Sequence, residues 1–329
     1  MGVRGRLAPS PTGYLHIGNA WAFLIAWLAV RAEGGSLVLR MEDIDPDRSR
    51  REFELGIVED LKWLGLDWDE GPDSGGAFGP YRQSDRLGYY GQVLDEFIRS
   101  GKVYPCYCTR KELRSMASAP HLGEHVPVYP GTCRNLDAAG QRHREASGRA
   151  PAQRMRCGEK PRTFVDAVYG RQRYVPAEWG GDFPVRRSDG VYAYQFAVVL
   201  DDAAMQVNQV VRGRDILHCT PRQLVIYEAI GAEPPAYIHV PLVLDAEGER
   251  LAKRHGHFEL RRLREAGVAP QALVGFLGWK AGLLETCVPC PPDLLAARFR
   301  KENLPHEDIR LDHDILSLLA GISEQGSLA

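Results

Sequence analysis

Residues 6–19 read RLAPSPTGYLHIGN and bring His16, Gly18 and Asn19 to the start of an apolar run at residues 20–30. An imidazole and an amide on either side of a glycine, where a helix opens, suit a nucleotide. A helix N-terminus offers unpaired backbone N–H groups and positive dipole, and a glycine there lets a base or a phosphate approach the backbone closely. Four-residue patterns arise by chance, so this stretch needs partners elsewhere in the chain. The candidates are an acidic cluster at Glu42, Asp43, Asp45 and Asp47, guanidinium groups at Arg6 and Arg212, and the basic segment RLAKR at residues 250–254, which holds Lys253.

These residues must be positioned by regular elements. A strand over residues 3–8 stops at Pro9 and Pro11 and turns through Gly13, and residues 36–41 form a second strand ending in the acidic cluster. Ser49 followed by Glu52 predicts a capping box opening a helix with Phe53, Ile57, Leu61 and Leu64 on one face and Gly65 at its end. Strand and helix thus alternate, which predicts a parallel sheet with ligands at the carboxyl ends of its strands. After a Gly/Pro-rich loop at residues 71–80, another helix follows Ser84 and ends at Gly101. From Tyr104 the texture changes: Cys106 and Cys108 precede a second capping box, Thr109 to Glu112. Residues 141–173 then carry eight Arg and one Lys against three acidic residues. Residues 101–184 are expected to be an insertion with one basic face. Strands are expected again at 191–201 and 205–212. A helix capped at Thr220, with Pro221 first and Gly231 after it, leads to an apolar run at 238–244. The remainder reads as helical, from Pro270 and again over 291–300.

Composition excludes several classes. Hydrophobic residues at 44%, charged residues at 26% and a formal charge of −2 describe an ordinary globular protein, so any nucleic-acid contact must come from a local patch. The run at 20–30 is too short to span a bilayer and lacks a small-residue cleavage site, so it reads as a buried helix. Arg6 stands where a myristoylation signal needs Ser or Thr. Seven cysteines, without secretory context, argue against a disulfide framework and for metal ligands in a reducing compartment. The expectation is a cytoplasmic protein with no membrane contact, and a monomer.

Four ordered blocks, RLAPSPTGYLHIGN, YRQS at 81–84, LDDAAMQVNQVVRGRD at 200–215 and RLAKR, together resemble the class I aminoacyl-tRNA synthetases of the glutamyl type, over roughly residues 4–280. The resemblance implies an α/β fold: a Rossmann-type parallel sheet catalytic domain with a zinc-bearing insertion and a small C-terminal helical unit. It implies L-glutamate and ATP, with Mg2+, as substrates. His16 and Asn19 would stabilise charge on the phosphate oxygens, Gly18 would leave room for the adenosine, and Lys253 would neutralise the leaving pyrophosphate. Asn19 stands where the family pattern has His, and Arg250 and Ala252 depart from the second signature. Arg6 and Arg212 would receive carboxylates, Glu42 the α-ammonium, and Ala8, Ser10 and Tyr194 match the remaining substrate contacts. Tyr192 and Tyr194 alternate as in a half-buried strand. Cys106, Cys108, Tyr129 and Cys133 resemble the zinc knot of one branch of the family, a closed structural site; His121, His125 or Cys157 could replace Tyr129. Cys287 and Cys290 form a pair without a partner pair and read as non-metal.

The resemblance divides the chain into residues 1–100 and 185–256 as two halves of the catalytic domain, 101–184 as the insertion and 257–329 as a helical unit without an anticodon-binding domain. Only 73 residues follow Gly256, which resembles the truncated branch that places glutamate on the queuosine of tRNA(Asp), at the wobble position. The partner implied is the anticodon stem-loop of that tRNA, gripped through phosphates by the basic insertion. Two other readings compete: charging of a tRNA 3′ end, and a catalytically idle RNA-binding paralogue.

Overall fold

The computed structural model, which describes residues 2–109, 111–113, 128–176, 178–251, 258–311 and 314–326, opens on a β-α-β unit. β1 (Arg4–Leu7) pairs in parallel with β2 (Ser36–Leu39), Arg4 opposite Ser36 and Leu7 opposite Leu39, and α1 (Ile17–Arg31) connects them. The pairing continues past both strands, where Arg40 N donates to Leu7 O at 2.9 Å and Glu42 N to Pro9 O at 2.9 Å. Pro9 and Pro11 have no N–H to give a ladder, so the first strand ends there and the chain is free to turn. Helix α1 buries Trp21, Leu24, Ile25, Trp27, Leu28 and Val30 because it is covered by the sheet and by later helices. No described helix is long and apolar enough to cross a membrane.

α2 (Arg51–Trp63) and α3 (Leu87–Arg99) follow, ending at Gly65 and Gly101, which both take positive φ. The capping box foreseen at Ser49 does not form. Ser49 N closes a turn onto Asp45 O and Arg50 N is taken by Pro11 O, so α2 starts at Arg51 with Arg50 as its uncapped N-terminal neighbour. The box at Thr109 does form, with Thr109 N on Glu112 Oε2 and Glu112 N on Thr109 Oγ1.

The next residues supply β3 (Val103–Cys106), α4 (Ala138–Ala146), β4 (Ala152–Met155), β5 (Arg162–Asp166), β6 (Gly170–Tyr174) and β7 (Phe183–Arg186). Strands β3, β4 and β7 make an antiparallel sheet in that order. β5 and β6 form a hairpin that leaves this sheet and joins the catalytic one, Asp166 pairing with Tyr237 of β9 (Ala236–Val240). β9 pairs in parallel with β8 (Gln209–Gly213), and Asn208 N, just before β8, reaches Arg4 O of β1.

A further expectation fails here. Residues 191–201 are not a strand: α5 (Tyr194–Ala204) occupies the run, and Phe196, Ala197, Val198, Val199 and Leu200 are all buried. A helix enclosed on every side shows no amphipathic period, and its β-branched residues then mimic a strand. α5 packs on α6 (Thr220–Ile230), which ends at Gly231 in the left-handed conformation as the sequence suggested, but Thr220 is its first residue and not its cap: Cys219 holds the N-cap position and Thr220 Oγ1 accepts from Arg212.

β10 (Val243–Leu244) pairs in parallel with β11 (Ile309–Arg310), and α7 (Leu260–Glu265), α8 (Pro270–Lys280), α9 (Pro292–Ala296) and α10 (Ile315–Gly326) complete the described chain. Leu273, Phe276, Leu277, Leu295, Leu319 and Ile322 share one apolar cluster with α1. The segment holding Cys287 and Cys290 closes over α8: Cys290 N donates to Gln271 O, and a Cβ on Gly275 would fall 1.8 Å from Val288 O. Among the described residues no third ligand joins that cysteine pair. Gly275→Ala must therefore push backbone apart inside the core. The expected cost is about 3 kcal/mol, read as a lower urea midpoint at unchanged slope. An unchanged midpoint would show that the 287–290 segment slides away freely.

Candidate active site and metal cluster

The carboxyl ends of β1, β2 and β8 meet the N-terminus of α1, and two adjoining cavities open there. The larger, about 470 Å³, is lined by Ala8, Pro9, Ser10, Tyr14, His16, Asn19, Glu42, Tyr194, Asp215 and neighbours; the smaller, about 180 Å³, by His16, Gly18, Asn19, Leu242, Val243, Asp215 and Arg250 among others. Residues from five separated parts of the sequence thus reach one place. His16 is the N-cap of α1, its Nδ1 accepting from Asn19 N at 3.3 Å while Asn19 Oδ1 accepts from His16 N at 3.0 Å. The pair is therefore a reciprocal helix cap as well as the wall of both cavities. With Oδ1 engaged, the donor Asn19 can offer a ligand is its Nδ2 amide, beside the positive end of the helix. A Cβ on Gly18 would come within 3.1 Å of the His16 ring, so glycine keeps that ring where it is and the smaller cavity open.

Arg6 and Arg212 lie outside the cavity wall, each coupled to a residue in it. Arg6 is buried, donates from Nη1 to Val211 O at 2.9 Å, and acts on Glu42 through its charge. Glu42 is held above the usual carboxylate range by burial, against the pull of Arg40 and Arg6. Arg212 is buried and gives Nε–H to His239 Nε2 at 2.9 Å, Nη1 to Gln223 Oε1 at 2.8 Å and Nη2 to Thr220 Oγ1 at 2.7 Å. Three of its five N–H donors go to neutral acceptors, and among the described residues no carboxylate pairs with it. Tyr194, the first residue of α5, sets its hydroxyl against the same guanidinium.

Beneath the cavity lies an ion network that sequence reading missed. Arg40, fully buried, faces Asp202 at 2.8 Å, Glu42 at 3.1 Å and Asp201 at 3.7 Å, and Asp201 also accepts from Arg86, Gln83 and Tyr90. The YRQS block belongs to this framework: Tyr81 bonds Glu70, Arg82 bonds Glu54, Gln83 bonds Asp201 and Ser84 bonds Asp43. Each side chain fastens an acid on another element. Asp215, also missed, sits between the two cavities and pairs with Arg250, so the Arg found at that departure from the second signature anchors the segment to the end of β8. Lys253 and Ala252 lie outside the described residues, as do His121 and His125.

The cysteine cluster is separate. The sulfur atoms of Cys106, Cys108 and Cys133 lie within 4.8 Å of one another, Cys108 Sγ and Cys133 Sγ at 3.6 Å. Ligands at about 2.3 Å around a tetrahedral zinc stand about 3.8 Å apart, so the cluster fits one ion. The Tyr129 hydroxyl is 3.4 Å from Cys106 Sγ, and the Arg154 guanidinium lies over the Tyr129 ring at 3.9 Å, a cation placed to offset the charge of thiolates and phenolate. Cys157 is not in the cluster; its thiol turns to Gly158 O.

Residues 2–287 match the family model described as tRNA synthetases class I (E and Q), catalytic domain. The chain belongs to this class I synthetase family. A glutamyl-Q tRNA(Asp) synthetase from Nitratidesulfovibrio vulgaris is 56% identical over 96% of the chain and 98% of its own length. A glutamate–tRNA ligase 2 from Acidithiobacillus ferrooxidans is 48% identical over 84% of the chain and 58% of its own length. A solved glutamate tRNA ligase from Elizabethkingia meningosepticum superposes with a TM-score of 0.84 at 24% identity, covering 100% of the chain and 70% of that structure, which shows a shared fold. The α/β class I fold foreseen from the sequence is therefore that of the family.

Proposed function

We propose that this chain activates L-glutamate with ATP and transfers it to the queuosine of tRNA(Asp). The observation that carries the reading is the 56% identity over nearly the whole of a protein named for that activity. In this reading Arg212 receives the side-chain carboxylate of glutamate, Glu42 the α-ammonium, and Arg6 helps hold the α-carboxylate for in-line attack on the ATP α-phosphate. Ala8, Ser10 and Tyr194 complete the pocket. His16, Asn19 and the α1 dipole stabilise phosphate charge, Gly18 admits the adenosine, and Lys253 neutralises pyrophosphate, with Mg2+ entering on ATP. Catalysis of this kind is mainly positioning and charge stabilisation. One structural zinc on Cys106, Cys108, Tyr129 and Cys133 would staple the insertion.

The basic insertion supports an RNA partner in a restricted way. Arg149, Arg154, Arg156 and Arg162 are spent on internal contacts, whereas Arg142, Arg144, Arg171 and Arg173 form no ion pair among the described residues. These four are the cations assigned to the anticodon stem-loop phosphates of a monomeric, cytoplasmic enzyme.

Glu42 must be ionised to hold an ammonium. Since burial raises its pKa, the KM for glutamate should climb as pH falls through that raised value, starting above the ordinary carboxylate range, while the KM for ATP stays level. A glutamate KM independent of pH down to 4.5 would remove Glu42 from this role. The function itself is tested by glutamate-dependent ATP–pyrophosphate exchange without tRNA, then transfer to tRNA(Asp) bearing or lacking queuosine. Absence of exchange would leave an idle paralogue, and label on the terminal adenosine would mean 3′-end charging. Undiminished exchange in Lys253→Ala would exclude that lysine.

A further inference from the structure

Asp166 and His239 are both buried, and nothing in the adenylate chemistry above uses them. Asp166 is the last residue of β5, in the hairpin that leaves the insertion to pair with β9, and His239 lies inside β9. The Asp166 carboxylate takes four N–H groups. Oδ1 accepts from Val168 N at 3.0 Å and Tyr169 N at 2.9 Å; Oδ2 accepts from His239 N at 3.1 Å and lies 2.6 Å from His239 Nδ1. Although burial alone would raise its pKa, these donors hold Asp166 below the ordinary carboxylate range, so it is ionised and can only accept.

That fixes the imidazole. Facing a carboxylate, Nδ1 carries the proton and Nε2 is bare, and the bare Nε2 is the atom that accepts Arg212 Nε–H at 2.9 Å. Burial pushes the His239 pKa down to about 4, so the ring stays neutral through the physiological range. The opposite tautomer would set N–H against N–H at Arg212. The Tyr237 ring stacks on the imidazole at 5.9 Å and 21° and lies under the Arg212 guanidinium at 5.2 Å, closing the other direction of movement.

We propose that Asp166 and His239 act as a positioning relay for Arg212, setting the plane and register of the guanidinium that reads the substrate's side-chain carboxylate and so favouring glutamate over glutamine. The role of Arg212 rests on the function proposed above; the relay adds how that arginine is held. An aspartate bonded directly to Arg212 would neutralise it and compete with the ligand. The imidazole keeps the carboxylate one ring away, so Arg212 is oriented by a neutral acceptor and retains its charge for an anionic substrate. A carboxamide offers no charge and brings an –NH2 that a guanidinium cannot accept, which is the discrimination a fixed fork enforces.

Two measurements test this. In long-range 1H–15N spectra of the 15N-histidine-labelled protein, with the signal assigned by its loss in His239→Gln, His239 should show a protonated Nδ1 and bare Nε2 unchanged from pH 6 to 8. The reverse tautomer, or titration in that range, would overturn the relay, and this readout needs no variant to be active. In ATP–pyrophosphate exchange, His239→Asn keeps an amide near the Nδ1 position for Asp166 but loses the acceptor for Arg212, whereas His239→Gln can bring an amide oxygen to the Nε2 position. His239→Asn should raise the glutamate KM about tenfold and lower the preference for glutamate over glutamine by about as much, with His239→Gln within about threefold of wild type and the ATP KM unmoved in both. Equal glutamate KM values in both variants and wild type, or ATP and glutamate KM rising together, would sink the proposal. Wild-type protein that shows no glutamate-dependent exchange would instead sink the function on which it rests.

Discussion

Arg212→Ala is expected to lose glutamate activation almost completely while keeping its affinity for ATP. The guanidinium is buried, has no carboxylate partner among the described residues, and meets only neutral groups, His239, Gln223, Thr220 and the Tyr194 hydroxyl. A substrate carboxylate brought to it would be desolvated against a single cation. Removing one member of such a pair costs about 3–5 kcal/mol, roughly a hundred- to several-thousand-fold in kcat/KM. Arg212→Lys should recover little, because an ammonium cannot serve three fixed acceptors and a carboxylate with one planar fork. The folded state should survive, since water can reach the three abandoned acceptors through the adjoining cavity at Tyr194. Steady-state exchange with glutamate and ATP varied separately decides it. A glutamate KM within threefold of wild type would remove Arg212 from the substrate.

The second large effect is expected at the cysteine cluster. Tyr104, Cys106, Tyr107, Tyr129 and Cys133 make a satellite core of five buried residues, too small to hold the insertion end by apolar burial alone. Metal analysis of the wild-type protein should give about one zinc per chain, and Cys133→Ala should bring it close to none, because three donors lose the closed tetrahedral geometry. The main core around α1 shares no residue with this cluster, so exchange activity should persist while the insertion loosens and tRNA transfer fails. Protease cleavage confined to residues 104–150 would report the loosening. Stoichiometric zinc in Cys133→Ala would refute the ligand set, and full tRNA transfer by the zinc-free variant would refute its stapling role.

Much of this site was legible because its parts sit where local rules apply. Prolines end β1, glycines end α2, α3 and α6, and the HIGN stretch stands at a helix start, all readable over a few residues. What escaped was settled by tertiary contact. Tyr194 opens a helix rather than lying in a strand, since a run buried on all sides shows no helical period. Arg40 with Asp201 and Asp202, and Arg212 with His239, are ion pairs and hydrogen bonds between residues far apart in the chain, each ordinary in its own neighbourhood. YRQS resembled an internal block of the family, and its four side chains each bond an acid on another element, a set of contacts that no spacing rule shows.

Asp166 gives the insertion a consequence for anyone who would recombine these enzymes. β5 and β6 are read from the middle of the inserted sequence, yet Asp166 is the residue that pairs with β9 and bonds His239. The inserted segment is therefore no detachable cassette. A chimera that exchanged residues 101–184 for a foreign insertion, to retarget the RNA, would import its own residue at 166 and could alter amino acid choice at the same stroke. If the relay holds, a cut that spares 162–174 should leave the two properties separable.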